Sequence, residues 1–370
     1  MSRPSTRNPV LSQKLQQLLT ACLCIQLTAC TQGKAHNNRP TTPSNSASEA
    51  ATISESAQSA RQPDTIHRTF HKTVLDKTAL EQRWIVNAPE AKQLLEQGAT
   101  LLDARGNRLG SGLFSRRLEG AINVNWRDFS QQSSNSVRGN LLTDEAQLTQ
   151  QLQTLGISND KPVIVFANPP SGWGEDGRIV WMLRTLGHSQ AVMVDGGFQA
   201  LVAENVPIQQ GRATEPTPGD FVVNRIDEWS ISQNTLREQL EVETLTETPV
   251  NNITDNLVII DTRERREFEG QTPYGEQRGG HIPGAVHLYF KDLLEAEGTL
   301  LPHTALLEEL ESRGITPDKQ IVVYCTGGVR SGWLAAVLVT LGFPVQNYAG
   351  SLWEWSARDA SLYPLETTVR

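Results

Sequence analysis

Cysteine is scarce in this sequence: only four of the 370 residues are cysteines. Three of them, Cys22, Cys24 and Cys30, lie within the first 30 residues, so Cys325 is alone in the rest of the chain. The chain beyond residue 30 therefore has no partner with which Cys325 can form an internal disulfide. A single thiol kept there is either buried and inert or accessible and reactive, and its sequence neighbours decide which.

Basic residues are also in deficit. The formal net charge of −8 becomes −11 when residues 1–29, which hold three basic and no acidic residues, are set aside. Such an acidic body repels phosphate backbones, which argues against nucleic acid as a partner. The sequence has no dinucleotide fingerprint, Walker loop or serine elbow, and His281 and His287 have no neighbouring carboxylates or cysteines. We therefore expect neither a cofactor nor a metal site.

The first 29 residues are typical of an export signal. A basic, polar start precedes an apolar stretch, Leu15–Ala29, that is too short and too rich in glutamine to span a bilayer. The segment Leu27–Cys30 (LTAC) resembles the lipobox of bacterial lipoproteins, which implies a lipid on Cys30 and a position in the cell envelope facing the periplasm. Thr31, not being Asp, implies the outer membrane. An ordinary secretory signal without lipid is the alternative.

Residues 30–75 are predicted to be a disordered tether, because Ser, Thr, Ala, Asn and Pro dominate the segment without helical or strand periodicity.

Beyond this tether, the chain repeats itself at a separation of about 158 residues, which indicates a duplicated domain. Four pairs of segments match in the same order: Thr100–Arg105 with Val258–Arg263, Gly120–Trp126 with Gly284–Phe290, Val163–Ala167 with Ile321–Cys325, and Thr185–Gly187 with Thr340–Gly342.

Each half alternates short apolar runs with longer helical patterns, which predicts an α/β fold with a parallel sheet covered by helices on both faces. Ligands in this class bind beyond the carboxyl ends of the strands, where Asp261 and Cys325 are placed. Ala167 stands at the cysteine position of the first half, which therefore has no nucleophile. We place the domains at residues 76–212 and 213–370; alternatively, the second fold starts as late as Asn252.

The sequence around Cys325 predicts a reactive thiol. A buried strand ends there, and a helix is predicted to begin near Ser331, so that unpaired amides and the positive end of the helix dipole favour the thiolate. Gly327 and Gly328 are both expected to take positive φ angles and direct amide hydrogens at the sulfur. Arg330, a cation in a first helical turn, is best explained by an anion bound there. The alternative is an inert core thiol beside a solvated arginine.

Four segments of the second half resemble the rhodanese family in family order. They are Asp261–Gly270 (DTRERREFEG), His281–Ala285 (HIPGA), the active-site loop Cys325–Ser331 (CTGGVRS) and Gly350–Trp355 (GSLWEW). The resemblance implies two tandem rhodanese-like domains and a ping-pong sulfur transfer. Cys325 would take a sulfur from a small anionic donor, usually thiosulfate, release sulfite and pass the sulfur to cyanide or a thiol.

The resemblance also implies roles for individual residues. Arg263 would contact the donor, Asp261 and Ser331 would support the site, and the persulfide would be held by the loop amides of Thr326, Gly327, Gly328, Val329 and Arg330. The first domain would help to form the cleft, in a chain expected to be a monomer. From the residues alone, Asp261 is a candidate cap of the following helix, which includes Glu267 and Phe268. The loop and the domain interface are expected to be packed by Trp333, Trp353 and Trp355.

Three alternatives remain open. A 3-mercaptopyruvate donor is possible, although loops of that type lack the charge of Arg330, which suits a doubly charged thiosulfate. A phosphatase or arsenate reductase needs five residues between its cysteine and arginine, whereas four separate Cys325 from Arg330. The third alternative is a sulfur carrier or sensor that docks to a membrane partner without turnover.

Overall fold

The computed structural model describes residues 77–106, 116–134, 136–210, 215–245 and 256–367. The predicted signal peptide with Cys30, the tether at residues 30–75 and the domain boundary between residues 212 and 213 lie outside these ranges. Within the described ranges, no helix has the length and apolar character needed to cross a membrane.

The first half contains five helices and seven strands in its described segments. They are α1 (Lys77–Gln82), β1 (Ile85–Val86), α2 (Ala88–Glu96), β2 (Thr100–Asp103), β3 (Arg116–Leu118), β4 (Ile122–Asn123), α3 (Glu145–Thr154), β5 (Val163–Phe166), α4 (Glu175–Thr185), β6 (Ala191–Val194), α5 (Gly197–Ala203) and β7 (Ile208–Gln210). The strand order β1-β6-β5-β2-β4 forms one parallel sheet, and β3 pairs with β7 in a small antiparallel sheet.

The second half repeats this plan with a four-stranded parallel sheet in the order β11-β10-β8-β9. Its elements are α6 (Gln233–Leu245), β8 (Leu257–Asp261), α7 (Arg265–Phe268), β9 (Val286–His287), α8 (His303–Glu311), β10 (Gln320–Tyr324), α9 (Val329–Thr340), β11 (Val345–Asn347) and α10 (Ser351–Trp355). Short 3-10 helices cover Trp126–Phe129, Asp227–Trp229 and Phe290–Leu293.

Alternate residues of each central strand face opposite sides, as the two-residue period of a strand requires. On β5, Ile164 and Phe166 pack in one apolar cluster, whereas Val163 and Val165 pack in another. The strand β10 divides in the same way: Val322 and Tyr324 lie in a third cluster, and its other apolar residues pack in the cluster that contains Val163 and Val165. Helices therefore cover both faces of each sheet, which confirms the predicted fold class.

The two halves share one core, in which α4 lies directly against α9. Their close approach depends on glycine, because a Cβ atom at Gly177 would clash with the backbone and side chain of Trp333. A Cβ atom at Gly332 would lie 3.1 Å from the Cα atom of Arg178. The predicted place of Trp333 at the interface is confirmed, and the contact brings the amino ends of α4 and α9 together.

Several sequence predictions are corrected by this architecture. The helix after Cys325 begins at Val329, two residues before the predicted start. The alternative start of the second domain at Asn252 lies outside the described residues; upstream of it, Ile231 and Leu236 pack in the apolar cluster on the outer face of the second sheet. Trp355 packs in that same outer cluster, away from the shared interface.

Candidate active site

Cys325 follows β10, a central strand of the second sheet, and its backbone is fixed by the start of α10. The Cys325 amide donates to Ser351 Oγ over 3.0 Å, and the Leu352 amide donates to the Cys325 carbonyl over 3.1 Å. Ser351 in turn donates its hydroxyl to the Tyr348 carbonyl over 2.7 Å. These bonds pair backbone groups that burial would otherwise leave unsatisfied, so the thiol leaves the sheet from a defined position.

The amino end of α9 surrounds the sulfur. Gly328, the N-cap of α9, donates its amide hydrogen to Cys325 Sγ over 3.1 Å, and the Ser331 hydroxyl lies 3.6 Å from the same atom. The side chain of Cys325 is buried, yet the residue lines a cleft. The thiol is therefore neither sealed in hydrocarbon nor turned away from the loop amides, as an inert core cysteine would be.

The two glycines of the loop have different roles. Only Gly328 has a positive φ, of 80°, so the prediction that both glycines adopt this conformation was half wrong. Gly327 is instead required by close packing, because a Cβ atom there would overlap the ring of Trp353. The predicted packing of Trp353 around the loop is confirmed.

Arg330 is paired within the protein. Its Nη1 and Nη2 atoms donate to the Glu267 carboxylate over 2.6 and 2.8 Å, and Nη2 also donates to Thr326 Oγ1 over 2.7 Å. The Thr326 hydroxyl lies 2.9 Å from Glu267 and 3.1 Å from Glu276. The anion that the sequence predicted next to Arg330 is therefore the Glu267 carboxylate of the protein itself. The predicted place of Glu267 in a helix is confirmed, but its pairing with Arg330 was missed.

This pairing influences the ionisation of the thiol. Burial by itself raises the pKa of Cys325, but the nearby Arg330 cation and hydrogen bonds from Ser331 and Gly327 outweigh it and lower the pKa below its ordinary value. Burial also acts against the Arg330 cation, yet Glu267 and the Cys325 thiolate raise the pKa of this arginine. A lowered thiol pKa increases the fraction of nucleophilic thiolate at neutral pH.

Arg263 does not reach the cleft. Its Nε and Nη2 atoms donate to the Asp261 carboxylate over 2.9 and 2.7 Å, Nη2 also donates to the Gly280 carbonyl, and its side chain is 1% exposed. The position of Arg263 therefore differs from the expected contact with a donor. Asp261 accepts hydrogen bonds from Arg263 and from the Tyr324 hydroxyl, which supports the end of β10. The prediction that Asp261 caps the following helix was wrong, because the N-cap of α7 is Glu264.

The cleft in front of Cys325 has a volume of about 530 Å³ and is lined by both halves. Beside the loop after β10, its second-half residues are Tyr274 and Trp353, and the first half contributes Arg105, Trp126, Arg127, Trp173 and Glu175. Sequence reasoning missed these first-half residues, although Arg105 could have been found as the repeat counterpart of Arg263. Within the described ranges, no group of three or more His, Cys, Asp or Glu residues is arranged to hold a metal ion.

Comparison with known proteins agrees with this geometry. The model of the rhodanese-like domain matches twice, at residues 87–204 and 246–358. The chain is 31% identical to a thiosulfate sulfurtransferase of Azotobacter vinelandii over 54% of its own length and 69% of the relative's. It is also 31% identical to a probable 3-mercaptopyruvate sulfurtransferase of Pseudomonas aeruginosa, over 62% of this chain and 77% of that protein.

A solved structure shows the same fold. The 3-mercaptopyruvate sulfotransferase SseA of Escherichia coli superposes with a TM-score of 0.60 at 23% identity, covering 73% of this chain and 98% of that one. The two family-model matches include four of the five strands of the first parallel sheet, all four strands of the second and the loop that carries Cys325. The chain therefore belongs to the rhodanese family, as a sulfurtransferase with two rhodanese-like domains.

Proposed function

We propose that this protein transfers a sulfur atom from thiosulfate to a thiophilic acceptor, cyanide or a thiol, through a persulfide on Cys325. The observation that carries the proposal is the Gly328 amide hydrogen directed at Cys325 Sγ over 3.1 Å, with the Arg330 cation close by. A helix amino end with a lowered thiol pKa favours an anionic sulfur, both before and after it accepts a second one.

The reaction takes two displacement steps. The Cys325 thiolate attacks the outer sulfur of thiosulfate, the S–S bond breaks, and sulfite leaves with the bonding electron pair. The acceptor then attacks the outer sulfur of the persulfide, and the Cys325 thiolate leaves with its electron pair. The first step leaves the negative charge on the outer sulfur of the persulfide, and the second step returns it to Cys325 Sγ, so the loop amides and Arg330 stabilise an anionic sulfur in both half-reactions.

Thiosulfate is the favoured donor because it carries two negative charges and the cleft is lined by several cations. Arg330 shares its charge with Glu267, and Arg105 shares its charge with Asp103, so the attraction of a dianion also depends on Arg127 in the first-half lining. 3-Mercaptopyruvate is the second candidate, supported by the name of the Pseudomonas aeruginosa relative.

The N-terminal sequence supports a further part of the proposal, that the protein is exported and held in the cell envelope by a lipid on Cys30. A Cys30→Ser variant is then expected to lose incorporation of a labelled fatty acid and to be released from membranes. Incorporation equal to that of the wild type would contradict lipidation at this residue.

A mass measurement tests the donor and the nucleophile together. Lys319 and Arg330 bracket Cys325, so trypsin releases it in the peptide Gln320–Arg330. After incubation with thiosulfate, this peptide should gain one sulfur atom, and the matching peptide of Cys325→Ala should not. A gain with 3-mercaptopyruvate alone would select that donor, and no gain with either would refute the proposal. Loading that neither cyanide nor a thiol discharges faster than buffer would indicate a carrier.

A further inference from the structure

Arg178, in the half without a nucleophile, contacts the catalytic loop. It lies on α4 and is 1% exposed. Its Nη1 atom donates to the Gly328 carbonyl over 3.2 Å, and its Nη2 atom donates to the Gly139 carbonyl over 2.7 Å and to Ser130 Oγ over 2.9 Å. One guanidinium thus joins two first-half segments to the loop of the second half.

The bonded carbonyl belongs to the residue that contacts the sulfur. Gly328 accepts from Arg178 at its carbonyl and donates to Cys325 Sγ at its amide. The site has no room for a side chain, because a Cβ atom at Gly328 would lie 2.5 Å from Arg178 Nη1 and 2.6 Å from the Ala349 carbonyl oxygen. Arg178 therefore helps to define the position from which the Gly328 amide reaches the sulfur.

Arg178 also adds a buried positive charge near the thiol. Among the described residues, no carboxylate forms an ion pair with it, and its hydrogen-bond acceptors are two carbonyls and a hydroxyl. Burial lowers the pKa of Arg178 to about 9, which keeps it protonated at neutral pH, and the attraction of the Cys325 thiolate opposes that lowering. Unpaired buried charge is costly, so a nearby anion is its natural counterpart.

Other charges act on the thiol from the second half. Arg330 on α9 is the charge that lowers the pKa of Cys325 most, and Glu267 on α7 partly neutralises it. The Arg263 cation after β8 lowers the pKa of both members of this pair. Arg178 on α4 differs from all of these because it comes from the first half and forms no ion pair with a carboxylate in the described part of the chain.

We propose that Arg178 is a positioning residue for the sulfur-transfer reaction: by bonding the Gly328 carbonyl it holds the backbone of Gly328 in the conformation from which the Gly328 amide binds the sulfur, and its charge favours the thiolate and persulfide anions. This rests on the proposed function for the transfer step, but its effect on the thiolate is independent of any donor. The domain without a nucleophile thereby contributes to the reactivity of Cys325.

The chain offers a matched control in Arg184, on the last turn of the same helix. Arg184 is also 1% exposed, donates only to carbonyls (those of Leu80, Glu81, Arg83 and Ala191), and has a pKa lowered by burial to about 9. None of these carbonyls belongs to the catalytic loop. Loss of either arginine therefore removes a comparable set of buried hydrogen bonds, but only the loss of Arg178 is expected to affect the thiol.

The test follows alkylation of Cys325 by iodoacetamide against pH in the purified chain, read from the tryptic peptide Gln320–Arg330. Arg178→Met is expected to raise the thiol pKa by about one unit, as loss of a nearby opposite charge does. At a pH below the wild-type thiol pKa, sulfur loading from thiosulfate should fall by up to about tenfold, in proportion to the lost thiolate. Arg178→Lys, which keeps the charge but has fewer geometrically fixed donors, should give an intermediate pKa, and Arg184→Met should leave it unchanged.

Equal alkylation profiles for the wild type and Arg178→Met would overturn the proposal, as would equal pKa shifts in Arg178→Met and Arg184→Met. If the methionine variants do not fold, Arg178→Lys against Arg184→Lys decides in the same way. If the wild type shows the expected Arg178 dependence of alkylation but takes no sulfur from thiosulfate, the proposed donor fails while the influence of Arg178 on the thiolate stands.

Discussion

The turns that follow β5 and β10 are repeat counterparts with opposite chemistry. Both lead into a helix through a glycine N-cap with a positive φ, Gly174 at 81° and Gly328 at 80°. The loop after β5 spans residues 168–174 and follows Ala167, whereas the loop after β10 spans residues 326–328 and follows Cys325. The first turn of α4 carries Glu175 and Asp176; the corresponding positions of α9 carry Val329 and Arg330.

The difference shows what makes an anion site. In the first half, acidic side chains already occupy the amides: Glu175 Oε2 accepts from the Trp173 amide over 2.7 Å, and Asp176 Oδ1 accepts from the Gly177 amide over 2.9 Å. In the second half the first turn of α9, described in full, has no acidic residue, and the Gly328 amide bonds to sulfur. The absence of carboxylates matters as much as the presence of the cysteine.

The largest expected effect comes from moving the thiol between the halves. We expect Ala167→Cys in a Cys325→Ala background to form no thiocyanate from thiosulfate and cyanide, because the turn after β5 directs carboxylates, not free amides, at its helix end. The measurement is thiocyanate formation together with the mass of the tryptic peptide that contains position 167. Cys325→Ala alone is the folding control. Sulfur loading at position 167 would show that the turn chemistry is not decisive.

The next effect concerns the pair that distinguishes α9. Glu267→Gln should lower the free energy of unfolding by roughly 3 to 5 kcal/mol, because Arg330 is left as an uncompensated buried charge. Urea unfolding followed by tryptophan fluorescence measures the change. Glu269→Gln, two residues further along the chain, loses an exposed pair with Arg265; it is the control and should change the free energy of unfolding by less than about 0.5 kcal/mol.

This stabilisation also has a pH dependence of known sign. Burial opposes the Glu267 carboxylate, but Arg330 outweighs it, so its folded-state pKa lies below the ordinary value of 4.5. The contribution is therefore complete above pH 4.5 and is lost as the pH falls through the folded-state pKa. The stability difference between wild type and Glu267→Gln should shrink on acidification; a constant difference would mean that the charge is not responsible.

Asp176, the counterpart of Arg330, should give the third effect. Burial raises its pKa to about 7 from an ordinary 3.8. Between these values the unfolded chain is ionised while the folded chain keeps the proton, so stability falls as the pH rises, by at most about 1.4 kcal/mol per unit. Asp176→Asn should remove this slope and stabilise the protein at pH 7 by roughly 2 to 4 kcal/mol. Parallel pH profiles for the two proteins would contradict the assignment.

The smallest effect tests the charge that the first half adds to the cleft. Arg127→Gln should raise the KM for thiosulfate about threefold at low salt without changing stability, because Arg127 is exposed and lines the cleft. The increase should disappear at high ionic strength, where exposed charges are screened. Arg265→Gln, an exposed arginine elsewhere, is the control. A salt-independent increase would indicate a contact with a different origin.

Much of the local structure could be predicted from the sequence. The strand ends at Asp261 and Cys325 and the duplication follow from short-range patterns, and residues 325–331 by themselves predict a reactive thiol. The roles of Glu267 and Arg178 could not be predicted, because their partners Arg330 and Gly328 lie 63 and 150 residues away in the sequence. Arg263 was misplaced for the same reason: its burial depends on the Gly280 carbonyl and on packing that sequence motifs do not show.

The sequence by itself determined which atom is the candidate nucleophile and which helix end faces it, since both depend on neighbouring residues in one turn. Only the tertiary structure decided which charges surround that atom. The packing of α4 on α9 brings Arg178 to the Cys325 loop, and the folding of α7 against it gives Arg330 a carboxylate partner. Coulombic effects act through space, so what Arg178 and Glu267 contribute to the ionisation of the thiol was fixed only when distant segments packed together.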